Sequence, residues 1–116
     1  MDVDGSTAQE ALSGDPTLAE ILRRLTAKYA PAKIYLFGSM ARGEAGPHSD
    51  YDLLLLMDRL DRPGYRVAQE AHALIWGLGV SADILVWSKS EFERRAHLRA
   101  SLPATVLREG KLLYAA

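Results

Sequence analysis

Two acidic residues and a glycine–serine pair stand out because their types and spacing could do chemistry. An apolar run ends at Gly38-Ser39, and ten residues separate Ser39 from Asp50. Asp50 and Asp52 bracket a single residue and lead into a second apolar run. Ionised carboxylates at the mouth of a buried strand must be paired, hydrated or bound to a metal. Because side chains alternate along a strand, both acids should share one face, about 6 to 7 Å apart. The pattern predicts that they bind magnesium.

A third acid, Asp83, lies in a later apolar segment. If that segment pairs beside the strand of Asp52, its carboxylate can face the same ions. Three carboxylates and the oxygens of a triphosphate suit magnesium, which prefers oxygen ligands in octahedral arrangement. Two such ions could lower the pKa of an attacking hydroxyl and neutralise a leaving pyrophosphate, with Asp83 as a candidate proton acceptor. The three acids therefore predict transfer of a nucleotidyl group from an NTP.

The residues around Gly38 are predicted to hold the phosphates of that NTP. Gly38 allows a sharp turn and the close approach of a ligand. Ser39 can cap a short helix, residues 40–43, whose free N–H groups would face the same ligand. The β and γ phosphates would then bind these N–H groups and the Ser39 hydroxyl. For Arg42, one turn into that helix, a phosphate contact and a structural ion pair with a nearby acid remain equally open.

The composition is that of an ordinary globular protein, with 48% hydrophobic and 25% charged residues. A formal net charge of −1 gives no reason to expect direct nucleic-acid or membrane binding. The chain has no cysteine, which excludes disulfides, thiolate metal sites and a cysteine nucleophile. No apolar run approaches the roughly 18 residues of a membrane span. The first residues lack a signal pattern, so we expect a cytoplasmic protein.

The length of 116 residues favours one domain. The segment 1–14 is acidic and rich in small residues, which indicates a flexible tail. Residues 15–116 should form the single domain. Trp76 and Trp87 are interpreted as packing residues, with nucleobase stacking as the alternative. The basic segment 89–99 is interpreted as a solvated helix face, with an RNA-facing or partner-facing patch as the sharper hypothesis.

Periodicity and capping signals predict helices and strands that alternate along the chain. Asp15-Pro16 should start the first helix, and Ser90 with Glu93 has the spacing of a capping box for a later one. Further helices are expected at the apolar repeat from Val67 to Leu78 and, short, from Ser101 to Gly110. The expected helices are 16–29, 40–43, 67–78, 91–100 and 101–110, and the expected strands are 33–37, 50–57, 80–87 and, at an edge, 111–114. This order implies a small sheet with helices packed against it.

The sequence from Gly38 to Gly43, followed by that from Ser49 to Leu53, resembles the DNA polymerase β-like nucleotidyltransferase superfamily. Within it the sequence is most similar to the minimal nucleotidyltransferase (MNT) branch, over residues 16–114. The resemblance implies an α/β (α+β) fold with a small mixed sheet of three to four strands flanked by helices, two magnesium ions and an NTP. It implies nucleotide binding by Gly38, Ser39 and Arg42, and metal binding and catalysis by Asp50, Asp52 and Asp83.

Proteins of the MNT branch commonly pair with a HEPN-domain ribonuclease as a toxin–antitoxin system. The resemblance therefore implies an antitoxin that transfers AMP from ATP to a tyrosine hydroxyl of a HEPN toxin. One alternative is the subunit of a small-molecule adenylyltransferase, of the kind that modifies aminoglycosides. Another is a module without catalysis that binds a nucleotide or neutralises its partner stoichiometrically. The larger relatives carry an extra helical domain for which this chain is too short, so we expect a partner or a second copy to complete the acceptor site.

Overall fold

The computed structural model of the chain describes residues 14–38, 41 and 50–116. Within these ranges the helices are α1 (Pro16–Tyr29), α2 (Gly64–Leu74), α3 (Lys89–Arg95) and α4 (Leu102–Glu109). The strands are β1 (Lys33–Phe37), β2 (Tyr51–Met57), β3 (Ala82–Ser88) and β4 (Lys111–Ala115). None of these helices is both long and apolar enough to cross a bilayer. The predicted tail (apart from Gly14), the loop at 44–49 and, except Ala41, the short helix at 40–43 lie outside the described residues.

The four strands form one sheet in the order β3-β2-β1-β4. Strand β1 pairs antiparallel with β2 and with β4, whereas β2 and β3 are parallel. The sheet is therefore mixed, as expected from the resemblance, and the strand at 111–114 is confirmed as an edge strand. Strand β2 lies inside the sheet, and its four leucines at 53–56 are at most 3% exposed. A continuous apolar run is what a strand covered on both faces requires.

The two faces of the sheet are covered by different helices. Because side chains alternate along β2, successive residues of this strand pack against helices on opposite faces. Leu53 and Leu55 pack in one core cluster with the buried residues of α1 and α2. Leu54 and Leu56 pack in a second cluster with buried residues of α3 and α4. Asp52 has the parity of Leu54, so its side chain belongs to the face that α3 and α4 cover further along the strand.

Helix α1 begins and ends as its sequence signals require. Asp15 is the N-cap and its Oδ1 accepts a hydrogen bond of 3.0 Å from the Leu18 amide, with Pro16 in the first turn. The apolar residues at helical spacing all face the core. Ala30, the residue before Pro31, takes the left-handed conformation that closes the helix, with φ of 45°. The predicted helix at 16–29 is confirmed.

Helix α2 and strand β3 differ from their predicted ranges. The helix ends at Leu74 instead of Leu78, and the Leu74 carbonyl accepts a hydrogen bond of 3.0 Å from Arg24. Gly77 and Gly79 have φ of 93° and 74°, so this segment turns and cannot continue the helix. Strand β3 consequently begins at Ala82 instead of Val80, so Asp83 is the second residue of the strand.

The N-cap of helix α3 is Ser88, not Ser90 as predicted. Its hydroxyl oxygen accepts a hydrogen bond of 3.2 Å from the Glu91 amide. The helix ends at Arg95 instead of Ala100 because Ser101 donates a hydrogen bond of 2.8 Å to the Arg95 carbonyl, which folds the chain back. Ser101 also caps α4, where the short helix was predicted.

Two of the three arginines in the basic segment at 89–99 form ion pairs on helix α3. Arg95 lies 2.7 Å from a carboxylate oxygen of Glu91, and Arg94 pairs with the other oxygen of the same residue. Both arginines are largely exposed. These intrahelical pairs agree with the interpretation of the segment as a solvated face.

Candidate active site

The register of the sheet brings two of the three predicted acids together. In β2, Asp52 lies opposite Phe37 of β1 and opposite Asp83 of β3. Residues that lie opposite each other on neighbouring strands point to the same face, so Asp52 and Asp83 are neighbours on one side of the sheet. Asp52 is half-buried and Asp83 is exposed. Asp50 is exposed and lies just before β2, whose first residue is Tyr51 and not Asp50 as predicted.

The turn after β1 lies directly against the Asp52 carboxylate. Gly38 has φ of 74°, a conformation that favours glycine. A Cβ added to it would lie 3.1 Å from Asp52 Cγ and would overlap Oδ2 of the same carboxylate. The predicted phosphate-binding turn and the second predicted acid are therefore in contact, and any side chain at position 38 would have to displace the Asp52 carboxylate. Ser39 and Arg42, the other two residues predicted to bind the nucleotide, lie outside the described residues.

Tyr51, between the two acids, fastens the start of β2 to helix α1. Its side chain points to the opposite face, is 8% exposed, and donates a hydrogen bond of 2.6 Å to Asp15 Oδ2. Burial, together with the hydrogen bond and the negative charge of Asp15, raises the pKa of Tyr51 to about 12. The hydroxyl therefore stays protonated and remains a donor at neutral pH. No signal in the sequence pointed to this bond, because its two residues are 36 positions apart.

An open cleft adjoins the acids on the β3 side. It has a volume of about 840 Å³ and is lined by Asp50, Asp83 and the segment that joins α2 to β3, including Trp76. The Trp76 side chain is 86% exposed, so the prediction that it packs in the core is wrong. Its position in the apolar repeat suggested burial, but the helix ends two residues before it. Trp87 does pack against the second core cluster, as predicted.

The acids supply the type of ligand that magnesium prefers, but the described residues do not by themselves form a complete metal site. Carboxylate oxygens suit this ion, and Asp52 and Asp83 occupy adjacent positions in the sheet. In the part of the chain that the structure describes, no group of three or more acidic or histidine side chains is placed to hold a metal ion. Magnesium binding by Asp50, Asp52 and Asp83 stays a prediction.

Comparison with known proteins decides the family. Residues 17–113 match the family described as "Nucleotidyltransferase domain". The chain belongs to this family. This nucleotidyltransferase is also 30% identical, over 110 residues, to the bifunctional uridylyltransferase/uridylyl-removing enzyme of Bordetella avium (strain 197N). The match covers 85% of the chain but spans only 13% of the length of that enzyme.

Solved structures share the fold of this nucleotidyltransferase. A candidate nucleotidyltransferase from Sulfolobus solfataricus has a TM-score of 0.61 at 20% identity, over 96% of this chain and 89% of that one. A toxin–antitoxin complex with AMP-PNP has a TM-score of 0.52 at 24% identity, over 84% of this chain and 73% of that one. A variant of the toxin–antitoxin complex MntA–HpeT has a TM-score of 0.53 at 25% identity, over 84% of this chain and 72% of that one. Together with the family match, the similarity to the MntA–HpeT complex confirms the resemblance to the MNT branch.

Proposed function

We propose that this nucleotidyltransferase is an antitoxin that transfers AMP from ATP to a tyrosine hydroxyl of a HEPN-domain toxin, in a magnesium-dependent reaction. The observation that carries the proposal is the adjacency of Asp52 and Asp83, with Gly38 in contact with Asp52. Two carboxylates beside a glycine, which has no side chain, leave room for a triphosphate and its metal. The similarity to chains of toxin–antitoxin complexes, one of which contains AMP-PNP, supports the choice of donor and partner.

Each predicted residue has a role in this proposal. Asp50, Asp52 and Asp83 hold the magnesium, which when bound lowers the pKa of an attacking hydroxyl and neutralises the leaving pyrophosphate. The backbone N–H groups after Gly38 and the Ser39 hydroxyl bind the β and γ phosphates, and Arg42 adds a positive charge near them. These contacts fix the triphosphate so that its α-phosphorus faces the acceptor.

The transfer itself is an in-line displacement. The acceptor oxygen forms a bond to the α-phosphorus, the bond from that phosphorus to the oxygen bridging to the β-phosphate breaks, and pyrophosphate leaves. Asp83, on the outer strand, orients the acceptor hydroxyl and takes its proton. The product is an AMP ester of the toxin, which gains a bulky group and a negative charge. In this proposal the antitoxin acts in the cytoplasm, in a complex with its partner.

Label transfer tests this function. The chain is incubated with magnesium, ATP labelled at the α-phosphate, and the HEPN-domain toxin proposed as its partner. We expect the label on the toxin. The double variant Asp50→Asn with Asp52→Asn should reduce transfer by more than about 100-fold. Loss of a residue that only hydrogen-bonds to a metal ligand typically lowers activity by about 10- to 100-fold, and loss of the ligands themselves should lower it further. Asp58→Asn is the matched control, since Asp58 is an exposed acid just beyond the other end of β2.

The possible outcomes separate the three hypotheses. Label on the toxin that disappears in the double variant but not in Asp58→Asn supports the proposal. Neutralisation of the toxin by the double variant, without label, contradicts it and favours a module that binds its partner stoichiometrically. Label on an aminoglycoside but not on protein contradicts it in favour of a small-molecule adenylyltransferase.

A further inference from the structure

The two sides of the proposed site are not equivalent. Strand β2 carries Asp52, the turn at Gly38 follows β1 on one side of it, and Asp83 lies in β3 on the other side. In an in-line displacement the attacking and leaving oxygens lie on opposite sides of the phosphorus. Since the proposed function puts the leaving phosphates at the turn after β1, the acceptor hydroxyl must arrive from the β3 side.

The β3 side is open to receive an acceptor. Strand β3 is an edge strand of the described sheet, and Asp83 is exposed there. The cleft of about 840 Å³ reaches from Asp50 and Asp83 to the segment between α2 and β3. This volume falls within the range of about 300 to 1,000 Å³ that is typical of ligand sites. It can therefore admit an aromatic side chain together with the neighbouring backbone.

The outer rim of the cleft is apolar. Trp76 is 86% exposed and Val80 is 39% exposed, and both line the cleft. The Trp76 backbone is held by a hydrogen bond of 3.3 Å from its amide to the Ala73 carbonyl. An exposed tryptophan on a fixed backbone gains free energy when a partner covers it, and tryptophan is enriched among the residues that dominate binding. Its location at an active-site cleft points to an acceptor as the partner.

We infer that this cleft is the entrance for the acceptor, and that Trp76 is a specificity-determining residue which packs against the aromatic ring of an acceptor tyrosine. The inference rests on the proposed function, because that function defines the side from which the acceptor comes. Contact between the two rings orients the tyrosine hydroxyl towards Asp83. A serine or threonine acceptor has no ring and gains nothing from this contact, so Trp76 selects for tyrosine.

Fluorescence tests the contact without requiring turnover. The chain has two tryptophans, so Trp87→Phe leaves Trp76 as the single reporter. The probe is N-acetyl-tyrosinamide, added in the presence of magnesium and an ATP analogue with a non-hydrolysable bond between the α and β phosphates. We expect saturable quenching of Trp76 by the tyrosine probe and none by N-acetyl-serinamide. Quenching by the ATP analogue alone, or no response to the tyrosine probe, overturns the inference.

Kinetics give a second test that does not depend on the Trp87 substitution. Trp76→Ala should raise the KM for N-acetyl-tyrosinamide about three- to tenfold, the range expected for loss of one aromatic contact, without changing the KM for ATP. In Trp76→Phe, which keeps an aromatic ring, the KM for N-acetyl-tyrosinamide should be close to that of the unmodified chain. Tyr65→Ala is the matched control, because Tyr65 is a 61% exposed aromatic residue on α2 that does not line the cleft.

The two tests distinguish failure of the inference from failure of the proposed function. If Trp76→Ala raises the KM for ATP instead, Trp76 binds the nucleobase and the inference is wrong. An unchanged KM for both substrates also overturns it. If the unmodified chain transfers no AMP to any acceptor, the proposed function fails, and the quenching of Trp76 by the tyrosine probe still decides whether the cleft binds an aromatic acceptor.

Discussion

At the scale of single residues, a contact between a glycine and a carboxylate lies at the centre of the proposed site. Gly38 touches the Asp52 side chain so closely that no other residue fits without moving it. Both residues were predicted to be functional from their spacing in the sequence, yet the contact between them depends on the register of β1 and β2. That register makes the Gly38 turn and the acid strand a single structural unit.

Gly38→Ala should therefore damage nucleotide binding through Asp52. The new methyl group must displace the Asp52 carboxylate, and we expect the affinity for magnesium-ATP to fall by at least about tenfold, as for loss of one charge-assisted contact. Gly79→Ala is the matched control, since Gly79 has the same φ of 74° but no other atoms within 4 Å of an added Cβ.

The comparison of these two variants separates backbone strain from displacement of the acid. Both substitutions put a side chain in the left-handed conformation, so both should lower the free energy of unfolding by a similar amount, about 1 kcal/mol. Isothermal calorimetry with magnesium and an ATP analogue measures the affinities. Equal affinities in the two variants would show that the contact between Gly38 and Asp52 is unimportant for nucleotide binding.

At the scale of secondary-structure elements, one carboxylate joins helix α1 to the strand of the acids. One carboxylate oxygen of Asp15 caps the helix, and the other accepts a hydrogen bond from the Tyr51 hydroxyl. Asp15→Ala should lower the free energy of unfolding by about 2 to 3 kcal/mol, roughly 1 from the lost cap and the rest from the Tyr51 hydroxyl left without its partner. Urea denaturation measures the change.

Tyr51→Phe isolates the hydrogen bond from the cap. This variant keeps the cap intact and should cost only about 1 kcal/mol. The decrease in the free energy of unfolding of the double variant should then be smaller than the sum of the decreases in the two single variants, because both substitutions remove the same hydrogen bond. Asp58→Ala, at an exposed acid, should change the stability by less than about 0.5 kcal/mol. Strict additivity of the two single losses would contradict the link between α1 and β2.

Elements whose ends are marked by local signals could be predicted from the sequence. Asp15-Pro16 starts α1, Ser101 caps α4, and the leucine run of β2 indicates a strand covered on both faces. The ends of α2 and α3 were predicted less well, because contacts with distant residues or competing caps set them. Arg24 donates a hydrogen bond to the last carbonyl of α2. Ser88 is the N-cap of α3, although the spacing of Ser90 and Glu93 had suggested Ser90.

At the scale of the whole molecule, the proposed site has a nucleotide side and an acceptor side. The turn at Gly38 follows β1, whereas Asp83 and Trp76 border the cleft at β3. The candidate acids could be predicted from residue types and spacing alone. The exposure of Trp76 could not, because the apolar repeat of α2 continues through a segment that the two glycines turn away from the helix.

A crystal structure with magnesium and a non-hydrolysable ATP analogue tests the central claim most directly. That claim is that Asp50, Asp52, Asp83 and the turn at Gly38 form one nucleotide site. We predict magnesium bound by these carboxylates at about 2.0 to 2.1 Å, with the β and γ phosphates against the turn. A nucleotide bound elsewhere, or a metal that none of the three acids contacts, would contradict the account.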